Sequence, residues 1–467
     1  MIRLDVVAGK DILEKVYEVA KAGGWEVYAV GGFVRDLYMK NEGKDIDFVL
    51  IGDAVKFAHE FRKRFRSGKV VTFERFGTAM INYQDWQLEF VTARSEHYEE
   101  HSRKPIVQTA DLKSDLSRRD FTINCLAMHI SPEQFGEVID VYDGIGDIER
   151  GVIRTPLEPV VTFTDDPLRI LRAIRFAARL GFEIELTIAA AIEKTRERLA
   201  IISQERITEE FRKIMLAEKP SVGLNLLRDS GISAIIFPEL DKLAGIDQRK
   251  DYHHKDVFFH TLEVIDNISK HTDRFELRMA ALLHDIAKPN TKRFYEGVGW
   301  TFHGHEEVGA RMTNRIGRRM RLPVQTIKYL QKLVRLHLRP IALVDDDVTD
   351  SAIRRLMFEA GEEIDDLMML CRADITSKNP KKVRRYLRNF DRVEQRIKVV
   401  EEKDRIRNFK PAITGEDIMT ELNIPPGKIV GEIKQRIIDA ILDGEIPNER
   451  DACLNFFIQI KDSFISE

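Results

Sequence analysis

In the stretch Lys44-Asp45-Ile46-Asp47-Phe48-Val49-Leu50-Ile51, two acids alternate with apolar residues before a continuous apolar run begins. Strand residues two apart share a face. The pattern therefore predicts a strand with Asp45 and Asp47 pointing one way, and Ile46 and Phe48 pointing into a core. Working outward, Val27-Tyr28-Ala29-Val30, Thr78-Ala79-Met80-Ile81 and Leu88-Glu89-Phe90-Val91 are runs of the same kind, separated by Gly and Asp turns. Beyond about residue 160 the strand signal gives way to helical spacing with Gly and Pro breaks. The expected fold is a mixed-sheet α/β head with flanking helices, followed by an all-α body. The expected divisions are a head over 1–155, a helical neck over 156–245, a third domain over 246–400 and a helical tail over 401–467. The polar segment from 95 to 115 reads as a loop.

Length and composition agree with several domains. The chain has 467 residues, 32 % charged and 43 % hydrophobic, with 74 basic against 77 acidic side chains and a net charge of −3. That balance excludes a uniformly basic nucleic-acid binder but leaves room for a local basic face. No run approaches the roughly 18 apolar residues of a membrane span, so no membrane partner is expected. Met1 to Lys10 has no apolar signal core. The three cysteines, Cys125, Cys371 and Cys453, form no CxxC pair, which argues against a disulfide framework and for a reducing, cytoplasmic setting.

Several motifs carry chemistry. Gly31-Gly32-Phe33-Val34-Arg35-Asp36 follows a strand and opens a helix. Glycines there let backbone approach a ligand, and a helix N-terminus favours phosphate. Asp45 and Asp47 on one face repel unless a cation lies between them. Mg²⁺, with oxygen ligands and a triphosphate, is the natural occupant; it would activate an attacking hydroxyl and stabilise departing pyrophosphate. Glu89 is positioned to add a third carboxylate from a neighbouring strand. Arg118-Arg119-Asp120-Phe121-Thr122-Ile123-Asn124 supplies fixed positive charge and bidentate donors.

Gly-Gly-x-Val-Arg-Asp, then Asp-x-Asp, then Arg-Arg-Asp-x-x-x-Asn, in this order and spacing, resemble the class II tRNA nucleotidyltransferases, the CCA-adding enzymes that share a family with bacterial poly(A) polymerases. The resemblance runs on through Asp165-Asp166-Pro167-Leu168-Arg169-Ile170-Leu171-Arg172 and Ser203-Gln204-Glu205-Arg206-Ile207, and into a histidine–aspartate (HD) pattern at 260–374. The layout looks most like the long, HD-containing enzymes of the Bacteroidetes type. The resemblance implies that Asp45 and Asp47 bind Mg²⁺ and drive attack of a 3′-hydroxyl on an α-phosphate. It implies that Gly32, Arg35 and Arg119 contact the incoming CTP or ATP, with Asp120 and Asn124 holding ribose or phosphate, and that tRNA is the partner. One departure stands out: Asp165-Asp166 occupies the place where the family usually has Glu-Asp.

From Pro167 to Leu180, proline sits at the expected start of a helix and Gly181 at its end. Arg169, Arg172, Arg175 and Arg179 fall on one arc of it. Asp166 can accept from the amino group of cytosine or adenine while Arg169 donates to the same base edge. Arg172 and Arg175 would then face the triphosphate. His260, His284-Asp285 and Asp374 resemble the metal ligands of HD phosphohydrolases and suit a divalent ion. His303, His305 and His337 are candidates for a second one. Basic clusters at Arg315, Arg318, Arg319 and Arg321, and at Lys381, Lys382, Arg384, Arg385, Arg388 and Lys398, are candidates for RNA backbone phosphates. The leading expectation is template-independent CCA addition, with the HD segment open to two readings: an extra phosphohydrolase activity, or a structural spacer or RNA support. The competing expectations are a poly(A) polymerase, an enzyme adding only C or only A, and an HD phosphohydrolase with an RNA-binding head.

Overall fold

The computed structural model describes residues 2–6, 9–41, 43–66, 68–97, 106–246, 256–297, 299–343, 349–377, 379–404 and 409–465. The chain forms two compact units, Met1–Phe237 and Pro238–Glu467.

In the first unit, β1 (Glu26–Val30), β2 (Asp45–Ile51), β3 (Val70–Phe73), β4 (Thr78–Tyr83) and β5 (Trp86–Thr92) precede the short β6 (Arg94–His97) and β7 (Ile106–Thr109). Next come β8 (Leu126–His129), β9 (Val138–Asp140), β10 (Val152–Ile153) and β11 (Glu183–Ile184). Seven of these make one sheet in the order β3-β4-β5-β2-β1-β8-β9. Within it β2 and β5 run parallel, in a register that sets Asp47 opposite Glu89. The helices α1 (Lys10–Gly23), α2 (Gly32–Tyr38) and α3 (Ala54–Phe65) are woven among the first strands. The apolar stripe of α1 (Ile12, Leu13, Val16, Val19 and Ala20) is buried, as an amphipathic helix requires. Asp53 caps α3 by accepting from the Lys56 N–H. Between α3 and the sheet, Phe90 lies 5.1 Å from Phe48, 5.0 Å from Phe57 and 5.9 Å from Phe61, centroid to centroid. Ile46 and Phe48 are fully buried while Asp45 is exposed and Asp47 half-buried, as the alternation predicts.

After the sheet come α4 (Leu112–Ser117), α5 (Gly144–Arg150), α6 (Pro159–Asp165), α7 (Leu168–Leu180), α8 (Leu186–Thr195), α9 (Gln204–Met215), α10 (Pro220–Asp229) and α11 (Ile232–Ile236). Helix α7 begins where Asp166 accepts from the Leu168 N–H at 3.2 Å. It stops at Gly181, whose φ of 72° is open to glycine. It packs on α9 and α10. The approach is close enough that a Cβ on Gly223 would lie 2.4 Å from Ile214 Cγ2 and 3.2 Å from Ala178 Cβ.

The second unit contains α12 (Pro238–Asp241), α13 (Val257–Ser269), α14 (Phe275–Leu283), α15 (Lys288–Thr291), α16 (His305–Arg319), α17 (Val324–Leu336), α18 (Arg339–Ala342), α19 (Asp350–Ala360) and α20 (Ile364–Ala373). The chain ends with α21 (Pro380–Asp404), α22 (Gly415–Leu422), α23 (Lys428–Asp443) and α24 (Arg450–Ile465). The last three helices share a core of Ile418, Ile433, Ile437, Cys453 and Phe457. Arg355 on α19 ties this bundle to the rest of the unit through Asp439 and Asp443 of α23.

The body is helical as expected, with two small additions: β10 pairs with β11 across residues 152–184, and β12 (Arg293–Tyr295) pairs with β13 (Gly299–Thr301). Strands of two or three residues are too short to show an alternating pattern. The segment 95–115 is not simply a loop: β6 pairs with β7 and α4 follows, while 98–105 lies outside the described residues. All three cysteines are free and buried. Among the described residues no helix is long and apolar enough to cross a membrane.

Phe90→Ala should destabilise the first unit by about 3–5 kcal/mol, because it opens a cavity among three rings, whereas Phe90→Leu should cost less. Urea unfolding followed by the fluorescence of Trp25 and Trp86 would measure both.

Candidate active site

On the open face of the sheet, β2, β5, α2, the 118–124 turn and α7 enclose a cavity of about 690 Å³. Its lining contains nine arginines against five carboxylates. The imbalance suits a polyanionic ligand. Asp47 and Glu89 line it side by side, and Asp45 is exposed on the same face of β2. Burial raises the pKa of Asp47; Arg119 lowers it and Asp45 raises it again. Burial raises that of Glu89 as well, reinforced by Asp47. Carboxylates that make each other harder to ionise are a donor set that a hard divalent cation relieves. Asp45, Asp47 and Glu89 thus offer the oxygen donors that a divalent cation takes.

The backbone in front of them is set by Gly31, with φ 73° and ψ −134°. A Cβ there would lie 2.9 Å from Arg119 Nη1 and 3.6 Å from Asp47 Oδ2. Of the two glycines, sequence reading singled out Gly32; Gly31 is the one whose positive φ favours glycine and beside which Arg119 comes close. Arg119 reaches this point because Asp115, fully buried on α4, accepts from its Nη2 at 3.1 Å and from Arg118 Nη2 at 2.5 Å. Sequence reading missed Asp115. Its position three and four residues before the two arginines is the signal that could have found it.

Asp120, Asn124, Arg35 and Arg172 join in one chain of hydrogen bonds. Arg35 Nη1 donates to Asn124 Oδ1 at 2.6 Å, Asn124 Nδ2 to Asp120 Oδ1 at 2.9 Å, and Arg172 Nε to Asp120 Oδ2 at 2.7 Å. Burial opposes ionisation of Asp120, but Arg172 and the Asn124 amide outweigh it and hold its pKa at about 2. The guanidiniums of Arg35, Arg172 and Arg175 lie 5.2, 5.8 and 4.1 Å from the centre of the Phe176 ring. Arg175 is also paired at 2.7 Å with the buried Glu210 of α9. Glu210 was missed too, since it lies 35 residues from its partner. At the start of α7, Asp166 is held by Arg206 at 3.1 Å, and Arg169 Nη2 donates to the Arg118 carbonyl at 2.6 Å. Asp165 and Arg179 also line the cavity.

A second cluster is buried in the second unit. His260 Nε2 lies 2.9 Å from Asp374 Oδ1 and 3.5 Å from Asp285 Oδ2, and His284 Nε2 lies 3.2 Å from Asp285 Oδ2. On the other side of Asp285, Oδ1 is 3.3 Å from His305 Nε2, which is 3.2 Å from His337 Nε2. Each imidazole is oriented through Nδ1: His260 by Thr376, His284 by the Ala281 carbonyl, His305 by that of Phe302 and His337 by that of Val334. Four Nε2 atoms therefore converge on two carboxylates, the arrangement that orients metal-binding histidines. His284 Nε2 is buried without a hydrogen-bond partner. Two ligand groups, His260–His284–Asp285 and Asp285–His305–His337, share Asp285. The donor set fits one divalent ion and leaves a place for another. His303 is exposed and stands outside both groups.

Of the basic surface clusters, Arg319 makes a two-pronged pair with Glu239, and Arg384 donates to the Pro380 carbonyl.

Comparison with known proteins locates these features in families. Residues 27–154 match the Poly A polymerase head domain, 181–243 the probable RNA and SrmB-binding site of polymerase A, and 257–379 the HD domain. The A-adding tRNA nucleotidyltransferase of Deinococcus radiodurans is 30 % identical over 73 % of this chain and 78 % of its own length. The multifunctional CCA protein of Ralstonia nicotianae is 33 % identical over 64 % and 69 %. The A-adding tRNA nucleotidyltransferase of Aquifex aeolicus is 46 % identical over 157 residues, which span 34 % of this chain and only 19 % of that protein. In fold, the chain is similar to a Bacillus stearothermophilus CCA-adding enzyme solved in complex with CTP. The TM-score is 0.69 at 22 % identity, covering 98 % of this chain and 99 % of that one.

The depressed pKa of Asp120 gives a signed prediction. Its ionised form contributes stability that is fully present above its unfolded pKa of about 3.8, and that is lost as pH falls toward the folded value of about 2. Asp120→Asn should therefore destabilise the first unit by about 2 kcal/mol at pH 7. The gap from the wild type should close between about pH 4 and pH 2, as measured by urea midpoints across that range.

Proposed function

The chain belongs to the tRNA nucleotidyltransferase family, an enzyme class, and on that premise we propose that it adds C, C and A to the 3′ end of tRNA in the cytoplasm, using CTP and ATP and releasing pyrophosphate. The observation that carries this reading is the single cavity in which Asp47 and Glu89, the arginines, and the Asp166–Arg169 pair all meet.

In this reading Asp45, Asp47 and Glu89 hold Mg²⁺, which when bound supplies Lewis-acid stabilisation of the transferring phosphate. Arg119, fixed by Asp115, faces the polyphosphate. Arg35 and Arg172, locked through Asn124 and Asp120, add positive charge without needing to reorganise. Arg175, paired with Glu210, completes that wall. Gly31 and Gly32 let the backbone approach the nucleotide. Asp166 accepts from the exocyclic amino group of cytosine or adenine, and Arg169 donates to the neighbouring ring acceptor. Uracil and guanine would place a carbonyl against Asp166, a mismatch costing on the order of 1–3 kcal/mol. The division of labour is a catalytic head over 1–155, a base-reading neck over 156–245, an HD domain over 246–400 and a tail over 401–467.

A second activity is favoured by one observation, the convergence of four buried imidazole Nε2 atoms on Asp285 and Asp374. The second unit would bind a divalent ion through His260, His284, Asp285 and Asp374, and hydrolyse phosphate esters. Asp285 is placed to serve a second ion together with His305 and His337.

The test offers the purified chain tRNA ending before CCA, with CTP, with ATP and with both. Growth by three nucleotides is expected. Addition of A alone to tRNA already ending in CC would instead indicate the A-adding specificity carried by the names of two relatives, and long A tails on generic RNA would indicate a poly(A) polymerase. Asp47→Ala should abolish incorporation and leave metal-dependent phosphate release by the second unit intact. Asp166→Ala should erode discrimination against UTP and GTP by roughly tenfold or more while sparing tRNA binding.

A further inference from the structure

The segment linking two ligands of the buried histidine cluster is the β12–β13 hairpin. It leaves Asp285 through α15 and returns through Phe302, whose carbonyl orients His305. Lys288 bonds Asp285 at 2.6 Å while its ammonium lies over the Phe302 ring, so the root of the hairpin abuts the cluster. Thr301, opposite Arg293, is buried at that root.

Beyond the root the hairpin carries aromatic rings into solvent. Phe294 and Trp300 are a cross-strand pair and so share one face, with centroids 5.3 Å apart in an edge-to-face contact. They remain 62 % and 41 % exposed, and Tyr295 is 49 % exposed. Such a pair helps to hold a two-stranded hairpin together. That role needs ring edges in contact; it does not account for this much apolar surface left open beside a polar cluster. Lys292 sits 4.5 Å over the Trp300 ring. Between Lys288 and His303 the chain carries three cations, Lys288, Lys292 and Arg293, against the single acid Glu296.

We infer that this hairpin is a docking platform for single-stranded nucleic acid: bases stack on Trp300 and Phe294, Lys292 and Arg293 meet the backbone phosphates, and the strand's terminal phosphate is delivered to the histidine–aspartate cluster. Rings flanked by cations are the arrangement that binds unpaired strands without regard to sequence. A single strand offers both halves of the match at once, base faces for the rings and backbone phosphates for the cations. The delivery step rests on the phosphohydrolase reading of the second unit; the stacking step does not.

The test separates the two. Using the full chain with added divalent ion, phosphate release is compared for 5′- and 3′-phosphorylated trinucleotides and for glycerol 2-phosphate, which has no base. Trp300→Ala should raise KM for a trinucleotide about tenfold with kcat unchanged and with turnover of glycerol 2-phosphate unaltered. Trp300→Phe should restore most of the loss. An unmoved KM, or an equal loss with both kinds of substrate, would overturn the platform. If no phosphate is released under any divalent ion, the hydrolase reading fails alone. Ultraviolet crosslinking of a 4-thiouridine oligonucleotide then decides: crosslinks at Phe294, Tyr295 or Trp300 support the platform, and crosslinks found only elsewhere leave a protein as the occupant and overturn it.

Discussion

Asp120 is a carboxylate buried where the sheet meets the helices, and the first unit is organised around keeping it ionised. One oxygen takes the Asn124 amide and the other takes Arg172. A lone buried carboxylate would be costly enough to take up a proton; with these partners it becomes a fixed point joining the 118–124 turn to α7. Through Asn124 the same chain reaches Arg35 on α2, and next to Asp120 the ring of Phe121 packs edge-on against Phe176 of α7. Two of the arginines that line the cavity, Arg35 and Arg172, take their positions from that anchor.

The two buried clusters solve opposite electrostatic problems. In the first unit, guanidiniums exceed carboxylates, and the acids Asp115, Asp120 and Glu210 are distributed so that each fixes an arginine in place. The surplus positive charge faces the cavity. In the second unit, carboxylates and imidazoles crowd together with few hydrogens to share. Burial disfavours a charge on His284, yet Asp285 and Asp374 push its pKa up to about 10, while burial and its charged neighbour pull that of His337 down to about 4. Imidazoles driven apart in this way within one shell are short of a cation, whereas the first cavity is short of an anion.

The parts of this arrangement visible in the sequence were those governed by short-range rules. The alternation around Asp45 and Asp47, the proline and glycine bounding α7, and the adjacent His284-Asp285 pair all speak through local spacing. Glu210 and Arg206 were opaque as partners because α9 meets α7 only by tertiary packing. Asp115 lay within reach of a local rule, but only once its segment was known to be helical. The choice between Gly31 and Gly32 required coordinates, since the crowding at Gly31 comes from Arg119, which is distant in sequence. The aromatic hairpin was hidden for a different reason: three-residue strands carry too little pattern to read.

The stapling of α7 has a mechanical corollary. Three contacts tie its first turns to the 118–124 turn: Arg172 with Asp120, Phe176 with Phe121, and Arg169 with the Arg118 carbonyl. The turn and the helix that line the cavity are thus set at one opening, like a caliper clamped shut. A gauge clamped in this way offers every ligand the same opening, whatever the ligand's length.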